Sequence, residues 1–253
     1  MDFLIETALL THGLSSLSNE YIRNQWPFKE ANIAYLENGI IKTETIDTYL
    51  SFREQWKKLT RIDCMTLEHA RKHKLSGALT ASATMEVCRQ LGISAAVTAG
   101  MGGIGAIEGE ELCPDLPALE KIPVILISSG PKDMLDRAAT FLWLQAHHVS
   151  VKGWNTHSHS GYVFYGEPIP IEPFNPKEPA LAPLLLINEI PPSRRITDRT
   201  ILDDAVAYGH AAAAEGMFFH PAANKKIDER TEGYSSEIQL TALIENARVA
   251  NIL

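Results

Sequence analysis

The chain has 253 residues, 45% of them apolar, and a formal net charge of −8 at pH 7. That supplies a full hydrophobic core, and an acidic chain without a lysine- or arginine-rich run excludes nucleic acid and an anionic membrane surface as expected partners. Cys64, Cys88 and Cys113 form no Cys-x-x-Cys pair and the N-terminus has no basic region before an apolar run, so a reducing, cytoplasmic setting without a signal peptide or membrane span is expected.

Phe3-Leu4-Ile5 reads as a strand that runs directly into Glu6. An acid between apolar runs is costly unless it is paired or working; the plainer alternative is a strand-edge glutamate facing water. Asn38-Gly39 between two apolar runs predicts a hairpin, and residues 43–56 are expected to be helical. Lys57, Lys58 and Arg61 surround Thr60, which suits an anion such as a phosphate or, equally, a solvated basic stretch beside a helix end. Residues 66–73 predict a helix capped by Thr66. The small residues from Gly77 to Met85 are expected to open a second helix, ending at Leu91.

Residues 93–98 read as a buried strand that ends in Gly100-Met101-Gly102-Gly103-Ile104-Gly105. The Gly-x-Gly-x-x-Gly spacing matches a dinucleotide fingerprint, but that motif must open a long helix, which Gly109, Pro114 and Pro117 forbid. A loop whose backbone amides face a ligand is the better expectation. Glu108, Glu110, Glu111 and Asp115 follow closely, and such a cluster either binds a hard divalent cation or is an acidic surface loop.

Residues 123–127 predict a buried strand and residues 128–130 a turn. Pro131 is expected at the first position of a helix, with Asp133 and Asp136 in its first turn. Lys132 is out of place there: a cation at a helix N-terminus is disfavoured, which would lower its pKa and make it a candidate amine nucleophile. The alternative is a solvated lysine that swings clear of the helix end. The helix is expected to reach His147, and a strand occupies 149–154. His157 and His159 then stand in a polar loop, a metal pair without a third ligand or a hydrogen-bonding loop. A proline-rich connector (168–183), a strand (184–187), an alanine-rich helix (200–215) and a last helix (237–252) capped by Ser235 or Ser236 complete the chain. Alternating strands and helices predict one α/β domain over residues 1–253, with a mainly parallel sheet covered on both faces and ligands bound beyond the strands' carboxyl ends.

Several stretches together resemble, in order and spacing, the motifs of the pseudouridine-5′-phosphate glycosidase family, which includes indigoidine synthase A-like proteins. They are Glu6-Thr7 with His12-Gly13, Lys58-x-Thr60-Arg61-x-Asp63, Gly77-Ala78-x-Thr80-x-x-Ala83-Thr84-Met85, Gly102-Gly103-Ile104-Gly105, Asp115-Leu116, Gly130-Pro131-Lys132-x-x-Leu135-Asp136 and Asn246-Ala247-Arg248-x-Ala250. The resemblance implies a three-layer α/β/α fold with a mixed, mainly parallel sheet, a homotrimer, and a C-glycosidase aided by a divalent metal such as manganese. Its ligand would be a small nucleoside or sugar phosphate. A carbon–carbon glycosidic bond has no leaving-group oxygen to protonate, so the sugar must be opened and given an electron sink. By resemblance Glu6 is the acid, Lys132 the nucleophile that forms an imine, and Asp115 a substrate-binding and proton-handling group. Lys58, Thr60, Arg61, Ala81, Cys113 and Pro114 would contact substrate, and Glu111 would be the metal ligand in place of the family's aspartate.

The chain departs from the family where His-Arg-Gly has become Ile107-Glu108-Gly109, where an arginine has become Ile62, where an aspartate-glutamate pair has become His157-Ser158-His159, and where an asparagine has become Gln239. Another Schiff-base-forming lyase or aldolase on a sugar phosphate, or a non-catalytic nucleoside-binding relative, is the competing expectation.

Overall fold

The computed structural model of the chain describes residues 2–105, 112–217 and 219–253. Its strands are β1 (Phe3–Ile5), β2 (Ile33–Glu37), β3 (Ile40–Glu44), β4 (Thr60–Ile62), β5 (Gly77–Leu79), β6 (Ala95–Val97), β7 (Ile125–Ser128), β8 (Ser150–Trp154), β9 (Ser158–His159), β10 (Ile169–Pro170), β11 (Glu172–Pro173) and β12 (Leu184–Asn188). The α-helices are α1 (Asn19–Gln25), α2 (Ile46–Arg53), α3 (Leu67–Lys72), α4 (Ala81–Leu91), α5 (Asp115–Lys121), α6 (Arg137–Ala146), α7 (Thr200–Ala214), α8 (Phe219–Arg230) and α9 (Tyr234–Ile252). Ten strands form one sheet in the order β11-β8-β12-β7-β6-β1-β2-β5-β4, with β3 paired to β2. The β2–β3 and β2–β5 pairs are antiparallel and the other pairs within this sheet are parallel.

The alternation of side chains along the central strands explains the layers. Ala95 and Val97, Ile125 and Ile127, and Leu184 and Leu186 join a core with Leu240, Leu243 and Ala247 of α9. Ala96, Leu126 and Leu185 point the other way, into a second core with Met85 and Cys88 of α4 and Leu116 and Leu119 of α5. Strands buried on both faces read as unbroken apolar runs, which is why they are legible in the sequence. The three-layer α/β/α expectation holds, and so does the hairpin: Asn38 and Gly39 both adopt positive φ (50° and 78°), as a type I′ turn demands.

Three local expectations are corrected, and one helix is added. Residues 43–56 do not form one helix, because β3 pairs with β2 as far as Glu44 and Thr45 then caps α2 by accepting from the Thr48 N–H. Gly77–Leu79 is a strand rather than the start of a helix: it is held between β2 and β4, and the helix starts only at Ala81. Pro131 does not open a helix. The Lys132 N–H donates to the Met101 carbonyl (3.1 Å) and the Asp136 N–H to that of Ile104 (2.8 Å), so residues 131–136 are committed to the glycine loop. Asp136 is the N-cap of α6, accepting from the Ala139 N–H (2.9 Å). Finally, α8 is a helix that no expectation covered; Pro221, within its first turn, is compatible with helix but masks the signal.

Candidate active site

The candidate residues converge where parallel strands end. Glu6 follows β1, Thr98 follows β6, the segment from Ser129 to Lys132 follows β7, and Thr80 follows β5. The Glu6 N–H donates to Val97 O (3.0 Å) and the Thr7 N–H to Leu79 O (3.1 Å), so the backbone on both sides of β1 aims the glutamate. Its Oε1 accepts from the Thr98 hydroxyl at 2.6 Å. Burial pushes the Glu6 carboxyl up to about 7, against the Thr98 hydrogen bond and the positive Lys132.

Asp115, at the start of α5, is buried. Its Oδ1 accepts from the Ser82 N–H (3.0 Å) in the first turn of α4, and its Oδ2 from the Gly102 N–H (2.8 Å) in the glycine loop. The glycine motif therefore serves a carboxylate and the lysine loop, not a dinucleotide.

Lys132 is half-buried. Its pKa is lowered first by burial and then by the Arg61 guanidinium, against the pull of Glu6 and Asp115. The expected direction is thus present with a different cause, since the lysine does not stand at a helix N-terminus. Its loop is held from behind. Gly130 has φ +112°, and a Cβ there would meet His159 Nε2 at 2.1 Å. His159 Nε2 contacts Ser129 O (3.1 Å), and burial pushes this ring down to about 4, so it is neutral and Nε2 donates. His157 is exposed, so the two histidines do not converge as a metal pair.

Asp133 fixes the same loop. Its carboxylate accepts from the N–H groups of Tyr162 (2.8 Å), Val163 (2.7 Å) and Phe164 (2.9 Å). Replacing it leaves three backbone donors without their acceptor. Asp133→Ala is expected to lose about 3 kcal/mol of stability or more, read as a lower urea midpoint at unchanged slope. An unchanged midpoint would show that these bonds are not what holds the loop.

Two small hollows lie over this floor. One, of about 40 Å³, is bordered by Glu6, His12, Arg61, Lys132, His220 and Asn224, among others. The other, of about 30 Å³, is bordered by Arg61, Asp63, Cys113, Asp115, Lys132 and His220, with Pro114 at its edge. Glu6, Arg61, Cys113, Pro114, Asp115 and Lys132 are thereby brought together. Ala81 is buried in the first turn of α4, between Thr80 and Ser82, which border the second hollow. Lys58, Thr60 and Arg61 are all exposed, but only Arg61 borders the hollows, where it is the cation beside Lys132. Glu108, Glu110 and Glu111 lie outside the described residues.

The sequence did not single out Thr98, His220 or Tyr162. Tyr162 is buried, its hydroxyl 3.4 Å from Gln239 Oε1, and its pKa is pushed well up by burial and by the Glu6 charge. Nothing in its local spacing marks it, since it reaches the site through the Asp133 clamp.

A mainly parallel sheet covered on both faces, with a lysine amine, two carboxylates and a guanidinium at its strand ends, defines a lysine-centred α/β site. The chain belongs to the indigoidine synthase A-like family, whose model matches residues 31–253. It is 26% identical over 270 residues to the pseudouridine-5′-phosphate glycosidase of Alkaliphilus metalliredigens, covering 97% of this chain and 88% of that protein. It is 28% identical over 275 residues to the enzyme of that name from Methylobacterium nodulans, covering 97% and 80%. Among solved structures, it superposes on an indigoidine synthase A-like protein of Thermotoga maritima with a TM-score of 0.78 at 22% identity (97% of this chain, 89% of that one). It superposes on the prealnumycin C-glycosynthase AlnA, solved with ribulose 5-phosphate, with a TM-score of 0.74 at 21% identity (99% and 89%). These two structures share the fold.

Proposed function

We propose that the chain cleaves, or reversibly forms, the carbon–carbon glycosidic bond of a C-nucleoside such as pseudouridine 5′-phosphate, through an imine on Lys132. The products of cleavage would be uracil and ribose 5-phosphate. The observation that carries this reading is an inverted pair of charges: Glu6 is pushed toward its protonated form and Lys132 toward its neutral form, around one hollow. That pair supplies an acid and an amine nucleophile together. The glycosidase names of the relatives, and the C-glycosynthase name of a structural neighbour, support it.

In this reading Glu6 protonates the ring oxygen while the Lys132 nitrogen bonds to the anomeric carbon and the ring carbon–oxygen bond breaks. Once that nitrogen has lost a proton, its lone pair expels the base as the carbon–carbon bond breaks and the base carbon takes up a proton. Water then hydrolyses the imine. Arg61 is the group that meets the phosphate, and Asp115 positions the glycine loop and the sugar. The hollows are too small for a nucleotide, so the site has to widen on binding. The same reading takes the assembly to be a homotrimer.

Manganese belongs to the proposal as well. Among the described residues no group of three His, Cys, Asp or Glu side chains is placed to hold a metal ion, and both Asp115 oxygens already accept backbone N–H groups. These residues do not by themselves build a metal site, and no step above runs through one.

The test is incubation with pseudouridine 5′-phosphate and with unphosphorylated pseudouridine, with manganese and with a chelator, following uracil release by chromatography. Release from the phosphorylated substrate is expected. No release from either compound, with borohydride trapping of pyruvate or another sugar phosphate on Lys132, would replace this reading with a different lyase. Binding without turnover, equal in wild type and Lys132→Ala, would replace it with a binding protein.

A further inference from the structure

His220, in the first turn of α8, borders both hollows beside Lys132 and Arg61. Its Nδ1 lies 3.1 Å from the thioether sulfur of Met134. A thioether has lone pairs and no hydrogen to give, so the contact requires the proton on Nδ1; Nε2 of the neutral ring then carries a free lone pair. Met134 is two residues beyond Lys132, so the ring is tied to the lysine's own loop. Burial first, then the charges of Lys132 and Arg61, push the His220 pKa well below its ordinary value. The other ionisable groups bordering the hollows are Glu6 and His12 from the N-terminal segment, Asp63 after β4, and Cys113 and Asp115 at the start of α5.

We propose that His220 is a catalytic base that takes the proton from the Lys132 nitrogen once that nitrogen has bonded to the sugar. The proposal rests on the lysine-imine reading and supplies a step that it lacks. On attack, the nitrogen–carbon bond forms, the ring carbon–oxygen bond breaks, and the nitrogen becomes a secondary ammonium with no lone pair to expel the base. An N–H bond of that ammonium breaks, its electron pair stays on nitrogen, and a hydrogen bonds to Nε2. As the carbon–carbon bond then breaks, the imidazolium returns the proton to the departing carbon of the base and is neutral again. An anionic substrate group facing Arg61 offsets one of the two charges that weaken this base. Its basicity therefore rises when substrate is bound.

His220→Asn keeps a side-chain amide able to donate toward Met134 and removes the basic nitrogen. Its kcat on pseudouridine 5′-phosphate is expected to fall on the order of 10²- to 10⁴-fold with KM little changed, and the acid limb of the kcat–pH profile is expected to vanish. Added imidazole should restore part of the rate in His220→Gly. Met134→Leu, which removes only the acceptor for Nδ1–H, should retain the fold, lower kcat less, and displace the acid limb. Borohydride trapping of ribose 5-phosphate on wild-type Lys132 separates the two levels. No trapping overturns the lysine reading and this step with it. Trapping by wild type, with His220→Asn keeping its rate and acid limb, or losing rate while keeping the limb and gaining nothing from imidazole, overturns the role of His220 alone. Should His220→Asn not fold, an acid limb in Met134→Leu identical to wild type overturns it.

Discussion

Lys132→Ala is expected to lower turnover of pseudouridine 5′-phosphate on the order of 10⁴-fold or more and to end borohydride trapping of ribose 5-phosphate, with binding of the substrate largely retained. The size of the effect follows from the chemistry, because among the described residues no other group bordering the hollows is an amine, and the carbon–carbon bond breaks only when a nitrogen lone pair can take up the charge left on the anomeric carbon. Lys132→Arg should fail equally: a guanidinium keeps the positive charge but stays protonated and cannot form an imine. The fold should tolerate the change. The loop around Lys132 is held by its own backbone N–H on Met101 O, by Asp133 and by His159, and none of these uses the lysine side chain. Mass mapping of the reduced adduct gives the decisive reading: a trapped adduct on any residue other than Lys132, or full activity in Lys132→Ala, would remove the basis of the proposed function.

Glu6→Gln is expected to abolish acid catalysis and, at the same time, to stabilise the protein at neutral and alkaline pH. Glutamine keeps the shape and an oxygen for the Thr98 hydroxyl but has no proton to give, so kcat should fall on the order of 10²- to 10⁴-fold. In the wild type, activity that needs the protonated carboxyl should fall as pH rises through about 7, the value to which burial pushes Glu6. The stability effect has the opposite sign. Below about pH 4.5 the carboxyl is protonated in both folded and unfolded chains and costs nothing. Between about 4.5 and 7 the folded state holds a proton that the unfolded state has released, so stability declines as pH rises, and above about 7 the loss is complete. The shift corresponds to about 3 kcal/mol. Urea denaturation of Glu6→Gln should therefore match wild type near pH 4 and exceed it by up to that amount at pH 8. Equal stabilities at pH 8 would mean that Glu6 is not held in a dry site and is no acid at neutral pH.

Much of this site is legible along the chain. Glu6 is visible because an acid interrupts an apolar strand exit, and its structural surroundings bear out the cost inferred from that position. Lys132 is visible for a reason that proves mistaken: Pro131 suggests a helix start, whereas the residues concerned are spent pairing with the glycine loop. Its lowered pKa comes instead from burial and from Arg61, a residue remote in sequence. Lys58, expected to contact substrate, borders neither hollow, whereas Arg61, three residues on and likewise exposed, borders both.

What the sequence determines by itself is what short-range physics controls: apolar runs that must be strands buried on both faces, an Asn-Gly turn, and an acid and an amine set where strands end. What only the tertiary structure decides is which of those groups share one dry space. The surroundings of Lys132 are built by residues far apart in the chain, Arg61 from β4 and His220 from a helix that the spacing of residues does not announce. Burial is a property of the assembled layers, and a pKa shifted by burial has no signature in neighbouring residues.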